Sequence, residues 1–195
     1  RCLFLSWMMC LPAQAASGDA WAWGSNLFGG LGDGTEGLSM SPVQASGLGG
    51  ATRLAGGYYH TLAVKGDGTV WAWGWNAYGQ LGDGTTIEHI TPERVPGLTG
   101  VVGVAAGHRH SLAVKSDGTV WAWGGNAFGQ LGDGTTTDRL TPVRVSGLTG
   151  VVAVAASSGH SLALEGNGTV WAWGQNSSGQ LGDGTMTNRS APVQV

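Results

Sequence analysis

The chain has 195 residues; glycine supplies 37 of them, while Asp, Glu, Lys and Arg together make up only 11%. The formal net charge is -3, and Lys and Arg are scattered, with no basic stripe or tail to support nucleic-acid binding. So much glycine fits either a flexible low-complexity segment or a fold dense in turns, and its fixed positions between Trp, Val and Leu favour turns between strands.

The opening, RCLFLSWMMCLPAQAAS, resembles the end of a secretory signal peptide. It has an apolar run from Cys2 to Leu11, then Pro12, then Ala13-Gln14-Ala15 as a small-residue cleavage site. The run is shorter than the roughly 20 residues that span a bilayer; a buried N-terminal strand is the alternative. Both cysteines, Cys2 and Cys10, fall in this segment. Residues 1–15 are therefore read as a removable leader, giving a secreted, extracellular or periplasmic chain. Residues 16–195 then form a cysteine-free protein without disulfides or thiolate metal sites.

From Ala20 onward the chain repeats itself. AWAWGSNLFGGLGDGT starts at Ala20, and VWAWGWNAYGQLGDGT, VWAWGGNAFGQLGDGT and VWAWGQNSSGQLGDGT start at Val70, Val120 and Val170, each 50 residues after the last. A chain with such a period is read as a repeat protein first. In the copy covering 101–150, Val101–Ala106 predicts a strand, Ser111–Lys115 a second, and Thr119–Trp123 a third. Thr141–Val145 predicts a fourth, shorter strand with Pro142 near its start. Ser116-Asp117-Gly118 is hairpin chemistry. Asp67, Asp117 and Asn167 exchange at one turn position, as expected if geometry matters there and charge does not.

Four short strands in about 40–50 residues is the pattern of a β-propeller blade. The strands are apolar on both alternations, as in Leu112-Ala113-Val114 and Val120-Trp121-Ala122-Trp123, which fits sheets covered on both faces. No helical periodicity competes. The string VAAGHRHSLAV (Val104–Val114), followed by WGxNxxGQLGDGT (Trp123–Thr135), resembles the regulator of chromosome condensation repeat from Ala20 to Val195. The resemblance implies a seven-bladed propeller. The expected fold is thus an all-β β-propeller of four-stranded blades, with about three and a half 50-residue repeats as an incomplete ring. The WGxN half occurs four times and the GxxH half three times, and Ser157 replaces the glycine of the third, so that turn is expected to differ. Open sheet edges would be met by the remaining blades of a longer chain or by a second copy.

The recurring polar residues read as structural. His60, His110 and His160 sit a blade-width apart, too far to share a metal, so hydrogen bonding between blades or strands is expected. Asp33, Asp83, Asp133 and Asp183 have neither the spacing nor the terminal Glu of a calcium loop, which leaves a turn or capping role. Phosphate-cradling glycine motifs and a nucleophile elbow are missing, and neither enzymatic activity nor a cofactor is expected.

Positions where the copies disagree are freer to carry function. Among them Tyr58, Tyr59, Trp75, Tyr78, His108, Arg109 and Phe128 are the candidate partner-binding residues, because aromatic and Arg side chains on loops anchor interfaces. The expected activity is protein–protein recognition or scaffolding by a secreted, non-enzymatic module, with the partner's identity open. Through the resemblance, two alternatives stand beside it. One is guanine-nucleotide exchange on a small GTPase, which in the namesake depends on a wedge-like insertion and a basic tail. The other is an enzyme inhibitor, as in a secreted bacterial propeller that grips β-lactamases with aromatic loops. A carbohydrate-binding surface of Trp and Tyr is a third, weaker alternative, since most Trp residues recur in strands.

Overall fold

The computed structural model describes residues 18–195; the leader-like segment and both cysteines lie outside them. The strands in order are β1 (Trp21–Gly24), β2 (Ser39–Gln44), β3 (Ala51–Gly56), β4 (His60–Lys65), β5 (Val70–Gly74), β6 (His89–Arg94) and β7 (Val101–Ala106). They continue as β8 (His110–Lys115), β9 (Val120–Gly124), β10 (Arg139–Arg144), β11 (Val151–Ala156), β12 (His160–Glu165), β13 (Val170–Gly174) and β14 (Arg189–Gln194). Every pairing between named strands is antiparallel and sequential. The result is three four-stranded meanders, β3–β6, β7–β10 and β11–β14, and one two-stranded sheet, β1–β2. The first strands of successive meanders, β3, β7 and β11, contact one another. They are the inner strands of propeller blades that fan outward. By its sequence and pairing β1–β2 is the outer half of another blade.

Hairpin turns set the blade geometry. Between β8 and β9 the Gly118 N–H donates to Lys115 O at 2.9 Å, and Gly118 takes φ +76°, open mainly to glycine. Asp117 Oδ1 accepts the Thr119 N–H at 3.0 Å, and Asn167 Oδ1 does the same for Thr169 at 2.8 Å, so the exchange of Asp for Asn is an exchange of equal acceptors. One strand differs from its sequence reading. β10 begins at Arg139 and, at six residues, is no shorter than the other strands of its blade, with Pro142 inside it. Its register with β9 breaks between Arg139 and Val143, so Pro142 sits in an irregularity of the outermost strand, where its missing N–H costs little.

The core lies between blades. Leu62, Val64, Val70 and Ala72 of one blade pack with Ala113 and Trp123 of the next, and Leu112, Val114, Val120 and Ala122 pack with Ala163 and Trp173 in turn. Trp73, Trp123 and Trp173 are fully buried. Each reaches into the preceding blade, with Nε1–H donating to the carbonyl of Gly30, Gln80 or Gln130 at 2.8, 2.9 and 2.8 Å. Gly132 shows how tight this seam is: at φ +68°, an added Cβ would lie 2.8 Å from Trp173 Nε1.

The histidines close the same seam. His60 Nε2 meets Ser111 Oγ of the next blade at 3.0 Å, and His110 Nε2 meets Ser161 Oγ at 2.9 Å. Each serine hydroxyl already donates, to Gln80 O or Gln130 O at 2.8 Å, so it accepts from the imidazole and fixes the proton on Nε2. Burial lowers both histidines to about 3, with smaller contributions from neighbouring histidines. They are neutral struts between blades.

The turn at Ser157 departs from expectation by not departing from the pattern. Ser157 N–H donates to His160 O at 3.0 Å, as Gly57 and Gly107 do to His60 and His110 at 2.8 and 2.9 Å. Glycine is needed earlier because a Cβ on Gly107 would lie 2.3 Å from His110 Cε1 and 2.5 Å from Ser157 O of the next blade. No following blade presses on Ser157 among the described residues, and His160 is only half buried, so serine fits.

Candidate functional site

All loops that join first to second strands, and third to fourth strands, emerge on one face of the arc. Their backbones are tied to each other. Trp75 N–H donates to Tyr59 O at 2.9 Å, Gly125 N–H to Arg109 O at 2.7 Å and Gln175 N–H to Gly159 O at 2.8 Å. Across the seams, Tyr58 N–H reaches Gly107 O and His108 N–H reaches Ser157 O, both at 3.3 Å. Gln80 and Gln130 side chains accept the N–H of Tyr78 and Phe128 at 2.9 Å and hold those residues at the loop crest. Asn126 staples the long loop from within. Its Oδ1 accepts the Leu131 N–H at 2.9 Å, and its Nδ2 donates to Thr135 O at 3.1 Å. The LGDGT aspartates are turn caps here. Asp133 Oδ1 accepts the Thr135 N–H at 3.0 Å, and its Oδ2 binds Arg139 at 2.7 Å. Hydrogen bonds and the Arg139 charge outweigh burial and hold Asp133 below the usual carboxylate range.

On this frame the candidate residues converge. Tyr58 packs on Tyr59 with ring centroids 4.2 Å apart and on His108 at 4.3 Å. Trp75 stands edge-on to Tyr59 at 6.0 Å and to Tyr78 at 5.4 Å. Arg109 lies over the Tyr78 ring, 4.5 Å from its centroid. Six of the seven candidates thus form one continuous patch over two blades. Phe128 makes no ring pair with it and stands across a cleft of about 320 Å³ lined by Tyr78, Arg109, Gly125, Phe128 and Gln175 among others. Partial burial and the Arg109 charge push His108 below the ordinary imidazole value, so it is neutral at neutral pH. The hydrogen bond with Tyr58 raises the Tyr59 hydroxyl.

Phe28 was not among the candidates, yet its ring lies 5.2 Å from Tyr59 and 5.9 Å from Trp75. It occupies the repeat position of Tyr78 and Phe128, which was the available signal. It is also the one non-glycine residue at positive φ among the described residues, at +71°. An aromatic residue there is uncommon and costs on the order of 1 kcal/mol.

The opposite face is different in kind. Its larger hollow, about 430 Å³, is bounded by Arg53, Lys65, Asp67 and turn glycines. Lys65 and Asp67 recur as Lys115 and Asp117, so blade geometry accounts for them. Among the described residues no group of three or more His, Cys, Asp or Glu is placed to hold a metal, and no helix is long and apolar enough to cross a membrane.

The regulator of chromosome condensation (RCC1) repeat profile matches residues 17–64, 67–114, 117–164 and 167–195, and a second profile of that repeat matches 51–80, 101–130 and 151–180. Human WBSCR16 superposes with a TM-score of 0.83 at 26% identity, over 92% of this chain and 48% of that one. Prp20p from Saccharomyces cerevisiae, described with its binding properties to Gsp1p and histones, superposes with a TM-score of 0.81 at 24% identity, over 91% and 46%. The same yeast protein bound to Kap60 gives 0.77 at 24%, over 90% and 44%. The chain spans about half the length of these solved relatives. No curated protein matches it.

Proposed function

From the premise that this chain belongs to the regulator of chromosome condensation (RCC1) repeat family, we propose that it is a non-enzymatic module that recognises a partner protein through the aromatic patch on its loop face. One observation carries the reading. The residues that vary between otherwise matching repeats assemble into a single network of rings, Phe28, Tyr58, Tyr59, Trp75, Tyr78 and His108, capped by Arg109. Rings preassembled in this way lose little conformational freedom on binding and carry large apolar area, the properties of interface hot spots. Export is part of the same proposal and is supported by the leader-like residues 1–15. The test is retention of partners from the secreted fraction on the immobilised chain and on a Tyr58→Ala/Tyr59→Ala/Trp75→Ala variant with an unchanged circular dichroism spectrum. We expect specific partners to fall at least about tenfold on the variant. Equal retention would sink the assignment of this face.

A further inference from the structure

We infer that the cleft between Tyr78, Arg109, Gly125, Phe128 and Gln175 is the anchor pocket of that face and takes an apolar side chain beside a carboxylate from the partner protein. This rests on the recognition reading above and names the chemistry of the ligand.

The cleft lies where one lining position, Gly125, lacks a side chain, and a second glycine, Gly159, packs against its far wall. Residue 125 is glycine where the preceding copy has Trp75, and residue 159 is glycine where the others have Tyr59 and Arg109. A Cβ on Gly125 would reach Arg109 Cβ at 3.2 Å and Tyr78 Cβ at 3.6 Å; one on Gly159 would reach Gln175 Oε1 at 2.7 Å and Phe128 at 3.1 Å. The missing side chain at Gly125 leaves a hollow of about 320 Å³ between the aromatic walls of Tyr78 and Phe128. That is at the small end of ligand pockets, roughly 300–1,000 Å³, and suits one or two side chains.

Arg109 supplies the polar half. Its guanidinium is fixed over the Tyr78 ring and makes no ion pair among the described residues, whose three pairs each join an LGDGT aspartate to the first residue of an outer strand. Stacking leaves the N–H edges open, and a guanidinium held that way is preorganised to grip a carboxylate with two parallel hydrogen bonds. The one carboxylate in the wall, Asp138, accepts the Asn126 N–H at 2.7 Å. A polyanion is disfavoured by the formal net charge of -3 and by the single free cation of the cleft. A single acidic side chain next to an apolar one matches both halves.

The experiment is selection of random 12-residue peptides displayed on phage against the whole chain, followed by affinity measurement on synthetic peptides. We expect selected sequences to carry Asp or Glu next to an aromatic or aliphatic residue. Exchange of that acid for its amide is expected to weaken binding about tenfold on the native chain and less than about threefold on Arg109→Gln, a coupling that a merely structural role would not give. Gly125→Trp installs the residue the preceding copy carries and is expected to abolish binding of every selected peptide. No enrichment of acidic peptides, or binding unaffected by both variants, overturns the inference. If the aromatic triple variant then still loses its protein partners, the recognition face stands and only the anchor is wrong.

Discussion

The second and third complete blades carry nearly the same sequence in different surroundings. In the blade β7–β10, Val114 and Val120 are 1% and 0% exposed; in the blade β11–β14 their counterparts Leu164 and Val170 are 39% and 38% exposed. His110 is buried at a seam and bonded to Ser161, whereas His160 is half exposed and meets no following blade among the described residues. Folding of a blade is thus decided locally, by its hairpins and caps, while its contribution to stability depends on its neighbour. This is the nearest-neighbour behaviour of repeat proteins. Three experiments probe the difference between the seam and the open side.

The largest effect is expected from acid. His60 and His110 are held near 3 in the folded chain by burial, against an ordinary 6.5 when unfolded. Between those values these two histidines bind two protons in the unfolded chain that they do not bind in the folded one, and the smaller lowering of His108 and His160 acts in the same direction. Their stabilisation is therefore complete above about pH 6.5 and is lost as pH falls toward 3, with a slope of up to about 3 kcal/mol per pH unit. The aspartate caps are lowered too and lose their contribution in the same direction, but only as pH falls through the carboxylate range. Urea midpoints between pH 7 and 5 isolate the histidines. His110→Gln should remove a larger share of the slope than His160→Gln, whose imidazole is lowered by burial on one side only. An equal effect from the two variants would mean that seam and open side do not differ.

Next in size is a buried charge. Val120→Asp places a carboxylate in the core cluster under Trp173 and should cost about 4 kcal/mol or more. Val170→Asp can turn its charge to solvent and should cost about 1 kcal/mol. Urea denaturation of both, with unchanged m-values, is the measurement. Comparable costs would show that the open face of β11–β14 is covered in solution.

Much of this is legible in the amino-acid sequence. The 50-residue period and the two-faced apolar strands gave the blade, because repeat positions that hold turns and cores must be alike in every copy. The same logic gave most of the aromatic patch, since Tyr58, Tyr59, Trp75 and Arg109 sit where the copies part company. Strand alternation sends Ser111 and its neighbour His110 to opposite faces, but only the packing of blades shows that Ser111 meets His60. Phe28 shares the repeat position of Tyr78 and Phe128, but that its ring joins Tyr59 and Trp75 depends on the packing of the next blade. Pro142 was placed too near a strand start because the irregularity that accommodates it depends on the partner strand.

Ser157 is the position where sequence and packing speak most directly to each other, and it yields the smallest effect. At Gly107 the space for a Cβ is taken from one side by the histidine of its own blade and from the other by the carbonyl of Ser157. Gly107→Ser must therefore push two elements apart across a packed seam and should cost about 1–3 kcal/mol. Ser157→Gly removes a side chain that no following blade touches among the described residues. Its cost is the added freedom of glycine in the unfolded chain, about 0.5–1 kcal/mol. Since both changes are expected to destabilise, the comparison rests on the double variant. Residues 107 and 157 contact each other, so carving the side chain from Ser157 should relieve part of the Gly107→Ser strain only if the Ser157 backbone can then retreat toward the open side. A double-variant cost below the sum of the single costs would show that the open side yields. Strict additivity would show that the turn at 157 is as rigid as the turn it faces.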